Sequence, residues 1–280
     1  GRRGWATDPP TTTLAEASTS PTANFEVSIE APQHLDVVAT GEEVGPGRWA
    51  AENVRDFAVA LGRFDFARSR VNAGRPVQVT VGVAEGLDAD PEEFTEAIRR
   101  ALRDLSRRYG AYPWPTFSMA IMPDLGRAGI EYPAMVFQGE DSLEWATTHE
   151  VAHSWFYGLV GNNQGRDPWL DEGVTSWAQA RGDGMLGYFR DYEMSQVARG
   201  RLGRGMAFWD EHENHYYDGV YVQGVKALDA LGEARRVDCA LKRYVAQNAY
   251  GVATPEDLVE ALEPSFPRAG RVLERFGARF

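Results

Sequence analysis

From Asn24 the chain alternates, with Phe25, Val27 and Ile29 on one face and polar residues on the other, the period-two pattern of a half-buried strand. HLDVVATG and GRWAAENVRDFAVALGRF continue it as short strands broken by turn formers, and VQVTVGV predicts another strand. The period then changes. DPEEFTEAIRRALRDLSRRYG sets Phe94, Ile98, Leu102 and Leu105 on one helical face. TFSMAIMP and GIEYPAMVF return to strand. A helix is predicted from Asp141 to Val160, with Asp141 as N-cap, Glu144 at the third position and Gly161-Asn162 as the stop. A second is predicted to start with Asp167 as N-cap and Pro168 as first helical residue, its apolar stripe being Leu170, Val174, Trp177 and Ala178. The remainder reads as largely helical. Residues 1–23 are rich in turn formers and lack a period, so they read as linker. Strands first and helices after give an α+β fold, with a boundary expected near NAGRP, residues 72–76. There is no internal repeat.

Composition narrows the picture modestly. A chain of 280 residues holds one large domain, or one domain and part of another. With 43% hydrophobic and 11% aromatic residues it is globular. A net charge of −12 argues against a nucleic-acid partner, and since the acidic residues are spread along the chain they read as a solubility feature. No stretch approaches the ~18 apolar residues of a membrane span. Residue 1 opens no signal peptide, and the chain begins in mid-pattern, so it is read as a fragment of a longer protein whose compartment stays open. Cys239 is the only cysteine, so no intrachain disulfide forms, and its apolar helical surroundings predict a core position.

The chemistry lies in TTHEVAHSWF, residues 147–156. His149 and His153 are four apart, hence on one helix face, where both imidazoles can reach one ion. Glu150 falls about 60° round from His153, beside the ion and able to act as a base. This is the arrangement of a zinc hydrolase, and it needs a third ligand. The metzincin pattern fails, because Phe156 and Leu159 stand where it requires Gly and His. In DPWLDEGVTSW, Glu172 follows His153 after eighteen intervening residues and falls in the first turns of the second helix. Thr175 and Ser176 beside it allow that helix to pack close to the first.

H-E-x-x-H, eighteen residues and then the Glu of WLDEG resembles the aminopeptidase N-like family of zinc metallopeptidases, the gluzincins. HEVAHSWFYGLVGNN, YGAYPWPTFSMAIMPDLGRAGIEYPAMVF and ATPEDLVEAL are similar to stretches of its catalytic domain. The resemblance runs from about Asn24 to near the C-terminus. It implies a thermolysin-like catalytic domain over residues 76–280, preceded by the end of an N-terminal β domain at 24–75. It implies one zinc per chain on His149, His153 and Glu172, with Glu150 as general base. It implies an oxyanion-stabilising Tyr from a Y-x-x-G pattern, which YYDGVYVQGVKALDAL offers twice. Tyr221 is preferred, because the apolar helix continues after Gly224, and Tyr216 is the fallback. It also implies that a carboxylate holds the free N-terminus of a peptide substrate. The family's G-x-M-E-N strand corresponds to residues 128–132, where Glu131, with Gly129 and Ile130, stands as the substrate-binding segment. Ala128, Ile130 and Tyr132 depart from the family's Gly, Met and Asn.

The leading expectation is therefore an aminopeptidase. A gluzincin endopeptidase is an alternative, although thermolysin-type spacing is one residue longer before the Glu. A noncatalytic zinc- and peptide-binding relative is a third, disfavoured by an intact Glu150. His212 and His215 are spaced like no zinc pattern and read as part of a polar loop.

Overall fold

The computed structural model describes residues 11, 12 and 18–280. Most of the linker expected at 1–23 lies outside them. The described residues form two compact units, Thr22–Leu159 and Val160–Phe280, the latter taking in the described residues before Thr22.

The first unit opens with β1 (Ala23–Ser28), β2 (Asp36–Ala39), β3 (Glu42–Gly45), β4 (Arg48–Val54) and β5 (Val59–Gly62). β1, β4 and β3 form an antiparallel sheet in that order, and β2 pairs with β5. The alternation read in β1 is present: Phe25 and Val27 are half-buried between exposed neighbours. Next come β6 (Phe64–Asn72) and β7 (Pro76–Ala84), an antiparallel hairpin in which Asn72 faces Pro76. The 72–76 stretch is thus the turn of this hairpin.

α1 (Pro91–Tyr109) follows, with Asp90 capping it by accepting from the Glu92 N–H at 2.8 Å. Its predicted face, Phe94, Ile98, Leu102 and Leu105, is buried. β8 (Thr116–Ile121), β9 (Gly129–Tyr132) and β10 (Met135–Gln138) complete a five-stranded sheet of order β6-β7-β8-β10-β9. β7, β8 and β10 run parallel, and β9 joins antiparallel as an edge strand. β8 is buried almost throughout, as a central strand covered on both faces must be. α1 packs against β6 and β7. Val38, Ala58 and Ala60 form a core cluster with Phe64, Ala120 and Met135.

α2 (Leu143–Ala152) carries His149 and, as its C-cap, His153, and packs on α1, β9 and β10. Here the structure corrects two expectations. Asp141 does not cap it; a short 3-10 turn, Glu140–Ser142, leads in, and Ser142 occupies the cap position without a side-chain bond to the helix. Nor does the helix run to Val160. It ends at Ala152 and passes into a wide turn, Ser154–Leu159, where Phe156 (φ −111°, ψ 63°) and Tyr157 (φ 160°, ψ −66°) leave helical geometry. Long-range bonds to this turn, taken up below, override the local helical pattern.

The second unit is helical: α3 (Glu172–Gly182), α4 (Leu186–Asp191), α5 (Met206–Trp209), α6 (Gln223–Asp229), α7 (Ala234–Asn248), α8 (Pro255–Leu262) and α9 (Ala269–Glu274). Asp167 and Pro168 open a 3-10 turn, Pro168–Leu170, and not α3 itself; the Asp167 side chain makes no capping bond. Buried Asp238 of α7 accepts from the Trp177 indole at 3.0 Å and from the Arg181 guanidinium at 3.0 and 3.1 Å, tying α3 to α7. α8 has a reciprocal capping box between Thr254 and Asp257. Cys239 is exposed, against the expected core position, because α7 buries Val237, Ala240, Leu241 and Tyr244 and turns residue 239 outward. No helix among the described residues is long and apolar enough to cross a membrane.

Candidate active site

On α2 the His149 and His153 rings meet edge to face, with centroids 4.8 Å apart and planes at 78°. Both are buried, as is Glu150 between them in sequence. His153 Nδ1 lies 3.3 Å from the carbonyl of Phe156. A carbonyl only accepts, so Nδ1 carries a proton, and in the neutral ring Nε2 is then left with the lone pair a metal could take. Two adjacent buried imidazoles, one with its tautomer set, fit zinc's preference for neutral ring nitrogen.

Edge strand β9 runs beside α2. A carboxylate oxygen of Glu131, one of Glu150 and a ring nitrogen of His153 all lie within 4.8 Å of one another. Gly129 supports this meeting by its missing side chain. A Cβ there would stand 2.3 Å from Cδ of Glu150 and 2.4 Å from its Oε1, so the glycine's space is filled by the carboxylate. Replacing Gly129 by Ala therefore displaces Glu150, and if that carboxylate is the base, kcat should fall by roughly 100-fold or more in steady-state kinetics, the scale of losing a positioned base. An unchanged kcat would count against Glu150 as the base. Ile130 is exposed, and burial raises the Tyr132 hydroxyl above its ordinary range, reinforced by the charges of Asp56 and Glu131.

In the second unit Glu172 is the first residue of α3, and every residue from Glu172 to Ala180 is buried. The predicted apolar stripe thus understates how deeply this helix is enclosed. α3 crosses α6 at two glycines: a Cβ on Gly224 would lie 2.5 Å from Cα of Gly173, and one on Gly173 would lie 3.1 Å from the Val220 carbonyl. Glu172 adjoins one side of this crossing in sequence, and Tyr221 adjoins the other. From sequence Gly224 reads only as part of the Y-x-x-G pattern, and its pairing with Gly173 is not foreseen.

Tyr221 sits in a wide helical turn, Tyr217–Val222, that leads into α6. Its ring lies 5.6 Å from Tyr216 and 5.3 Å from Tyr217, so preferred and fallback tyrosines are neighbours. Asp218 anchors the turn: it accepts from the Tyr192 hydroxyl and from the Ser195 N–H, each at 2.9 Å. Burial, then the Asp218 contact, pushes the Tyr192 hydroxyl up to about 12. His212 stacks on Phe208, with centroids 4.2 Å apart, and its Nδ1 lies 2.9 Å from that residue's carbonyl.

Comparison with known proteins follows the same lines. Human aminopeptidase B is 28% identical over 87% of this chain and 42% of its own length. Aminopeptidase M1 of Arabidopsis thaliana is 24% identical over 86% of this chain and 32% of its own. The chain thus spans less than half the length of these relatives. The crystal structure of an M1 zinc metallopeptidase from Deinococcus radiodurans superposes with a TM-score of 0.69 at 22% identity, covering 92% of this chain and 64% of that one, so the two share a fold. The family model described as the peptidase family M1 domain matches residues 95–276, which include most of α1 and all of α2, β9, α3 and the Tyr221 turn. A match over well over half of the chain, spanning every residue singled out above for catalysis or metal binding, makes this chain a member of peptidase family M1.

Proposed function

We propose that the chain is a zinc-dependent aminopeptidase, hydrolysing the first peptide bond of substrates with a free N-terminus. The observation that carries this reading is the meeting of Glu131, Glu150 and His153, an ammonium anchor and a base beside a metal-binding imidazole. His149, His153 and Glu172 would hold one zinc per chain, a reading supported by family membership and by the eighteen-residue spacing. When bound, zinc supplies Lewis-acid chemistry, polarising a carbonyl and acidifying water.

The side chains do the rest. The Glu150 carboxylate takes a proton from the attacking water and returns it to the departing amine. Glu131, on the free edge of the sheet, pairs with the substrate's ammonium and fixes the first residue in register, while the β9 backbone can align the peptide. The Tyr221 hydroxyl donates to the oxygen that gains charge as the carbonyl is attacked. Chelation should abolish hydrolysis of an aminoacyl arylamide by the 280-residue chain, and one equivalent of zinc should restore it. Activity that persists in the chelated, metal-free chain would refute the reading.

Two substitutions refine the assignment. Tyr221→Phe should keep zinc and KM while lowering kcat roughly 10- to 1000-fold. If Tyr216→Phe does this and Tyr221→Phe does not, the neighbouring tyrosine is the oxyanion partner. Glu131→Ala should lower kcat/KM on a free peptide by roughly 2–4 kcal/mol of transition-state stabilisation, and far less on its N-acetylated form. Equal losses on both peptides would remove the anchor role from Glu131.

A further inference from the structure

The chain leaves helical geometry three residues after His153, and that departure is what brings a carbonyl to the histidine. In a continued α-helix the Phe156 carbonyl would point along the axis toward the N–H four residues on, away from the His153 ring. Instead the turn closes with the Gly158 N–H on the His153 carbonyl at 2.8 Å, and the Phe156 carbonyl lies 3.3 Å from His153 Nδ1. Such a turn leaves carbonyls without helical donors, and buried carbonyls need donors.

Those donors come from about a hundred residues away. Arg55, in the β4–β5 connection, is only 4% exposed. Its Nε donates to the Tyr157 carbonyl at 2.8 Å and its Nη2 to the Leu159 carbonyl at 3.3 Å. The next residue, Asp56, accepts from the Tyr157 hydroxyl. Tyr157 is thus gripped at both main chain and side chain by consecutive residues. On another side, the Trp155 indole donates to the Gly110 carbonyl at 3.0 Å, and the Phe156 ring meets Tyr109 edge-on with centroids 5.0 Å apart. The carbonyl facing His153 lies between these two anchorages.

We propose that Arg55 and Asp56 are positioning residues for the metal ligand His153: they hold the Phe156–Tyr157 turn whose carbonyl fixes the imidazole's tautomer and orientation. The proposal rests on the zinc assignment of His153. A planar guanidinium with two donors aimed at two carbonyls is a task lysine cannot repeat, since an ammonium is a single point of charge. A hydrogen bond to the second nitrogen of a metal-binding histidine typically governs 10- to 100-fold in metal affinity.

The test uses the apo chain, zinc as the probe and competition with a chelator to obtain the zinc Kd, alongside the apo melting temperature. Arg55→Lys should raise the zinc Kd roughly 10- to 100-fold while the chain stays folded. Tyr157→Phe, which keeps the ring and removes only the hydroxyl that Asp56 holds, should raise it by a smaller factor. A lowered melting temperature with an unchanged zinc Kd in both variants would mean that these residues brace the fold alone, and would overturn the proposal. A wild-type chain that binds no zinc would overturn the zinc assignment itself, so the two failures are distinguishable.

Discussion

Glu150→Gln is expected to retain zinc at the wild-type level and to lower kcat by at least ~100-fold, the scale of losing a general base. Glutamine matches the size and shape of glutamate, so the space that Gly129 leaves stays filled and α2 need not move. What is lost is the ability to take a proton from water and hand it on. The metal should be untouched, because the imidazoles of His149 and His153 are the donors that α2 offers. Elemental analysis of the purified variant, beside its kcat on an aminoacyl arylamide, checks both halves. Loss of metal would mean that Glu150 is a ligand, and near-wild-type turnover would mean that another group is the base.

His153→Ala carries the largest expected effect on the metal. It removes a nitrogen whose partner is already set by the Phe156 carbonyl, and no neighbouring imidazole but His149 remains on α2. Zinc affinity should fall by more than ~100-fold, beyond what is typical of losing a hydrogen-bond partner to a ligand. Activity should fall with it, and added zinc at moderate excess should not restore it. Full zinc occupancy in this variant would rule out the ligand set.

Much of the fold and of the site was legible because it rests on local periodicity. The face of α1 follows from Phe94, Ile98, Leu102 and Leu105 at helical spacing, and all four are buried. The pairing of His149 with His153 follows from the rise and turn of a helix. What was not legible depends on partners distant in sequence. Gly158 is the one local hint that the helix will stop near residue 156, and the donors that stabilise the turn belong to distant Arg55. Asp141 and Asp167 carry good capping side chains, yet 3-10 turns take their places and shift the start of each helix downstream. Cys239 lies among apolar neighbours in sequence but on the outer side of α7, which only the packing of Val237, Ala240 and Leu241 reveals. Gly173 and Gly224 acquire their meaning from one another, across fifty residues, where two backbones touch.

The most direct test of the account compares kcat/KM of the zinc-loaded chain on one peptide with a free N-terminus and on its N-acetylated form. An aminopeptidase anchored through Glu131 should release the first residue of the free peptide and cleave the acetylated one far more slowly. Equal cleavage of the two, or cleavage at internal bonds, would contradict an N-terminal anchor and point to endopeptidase action by the same site.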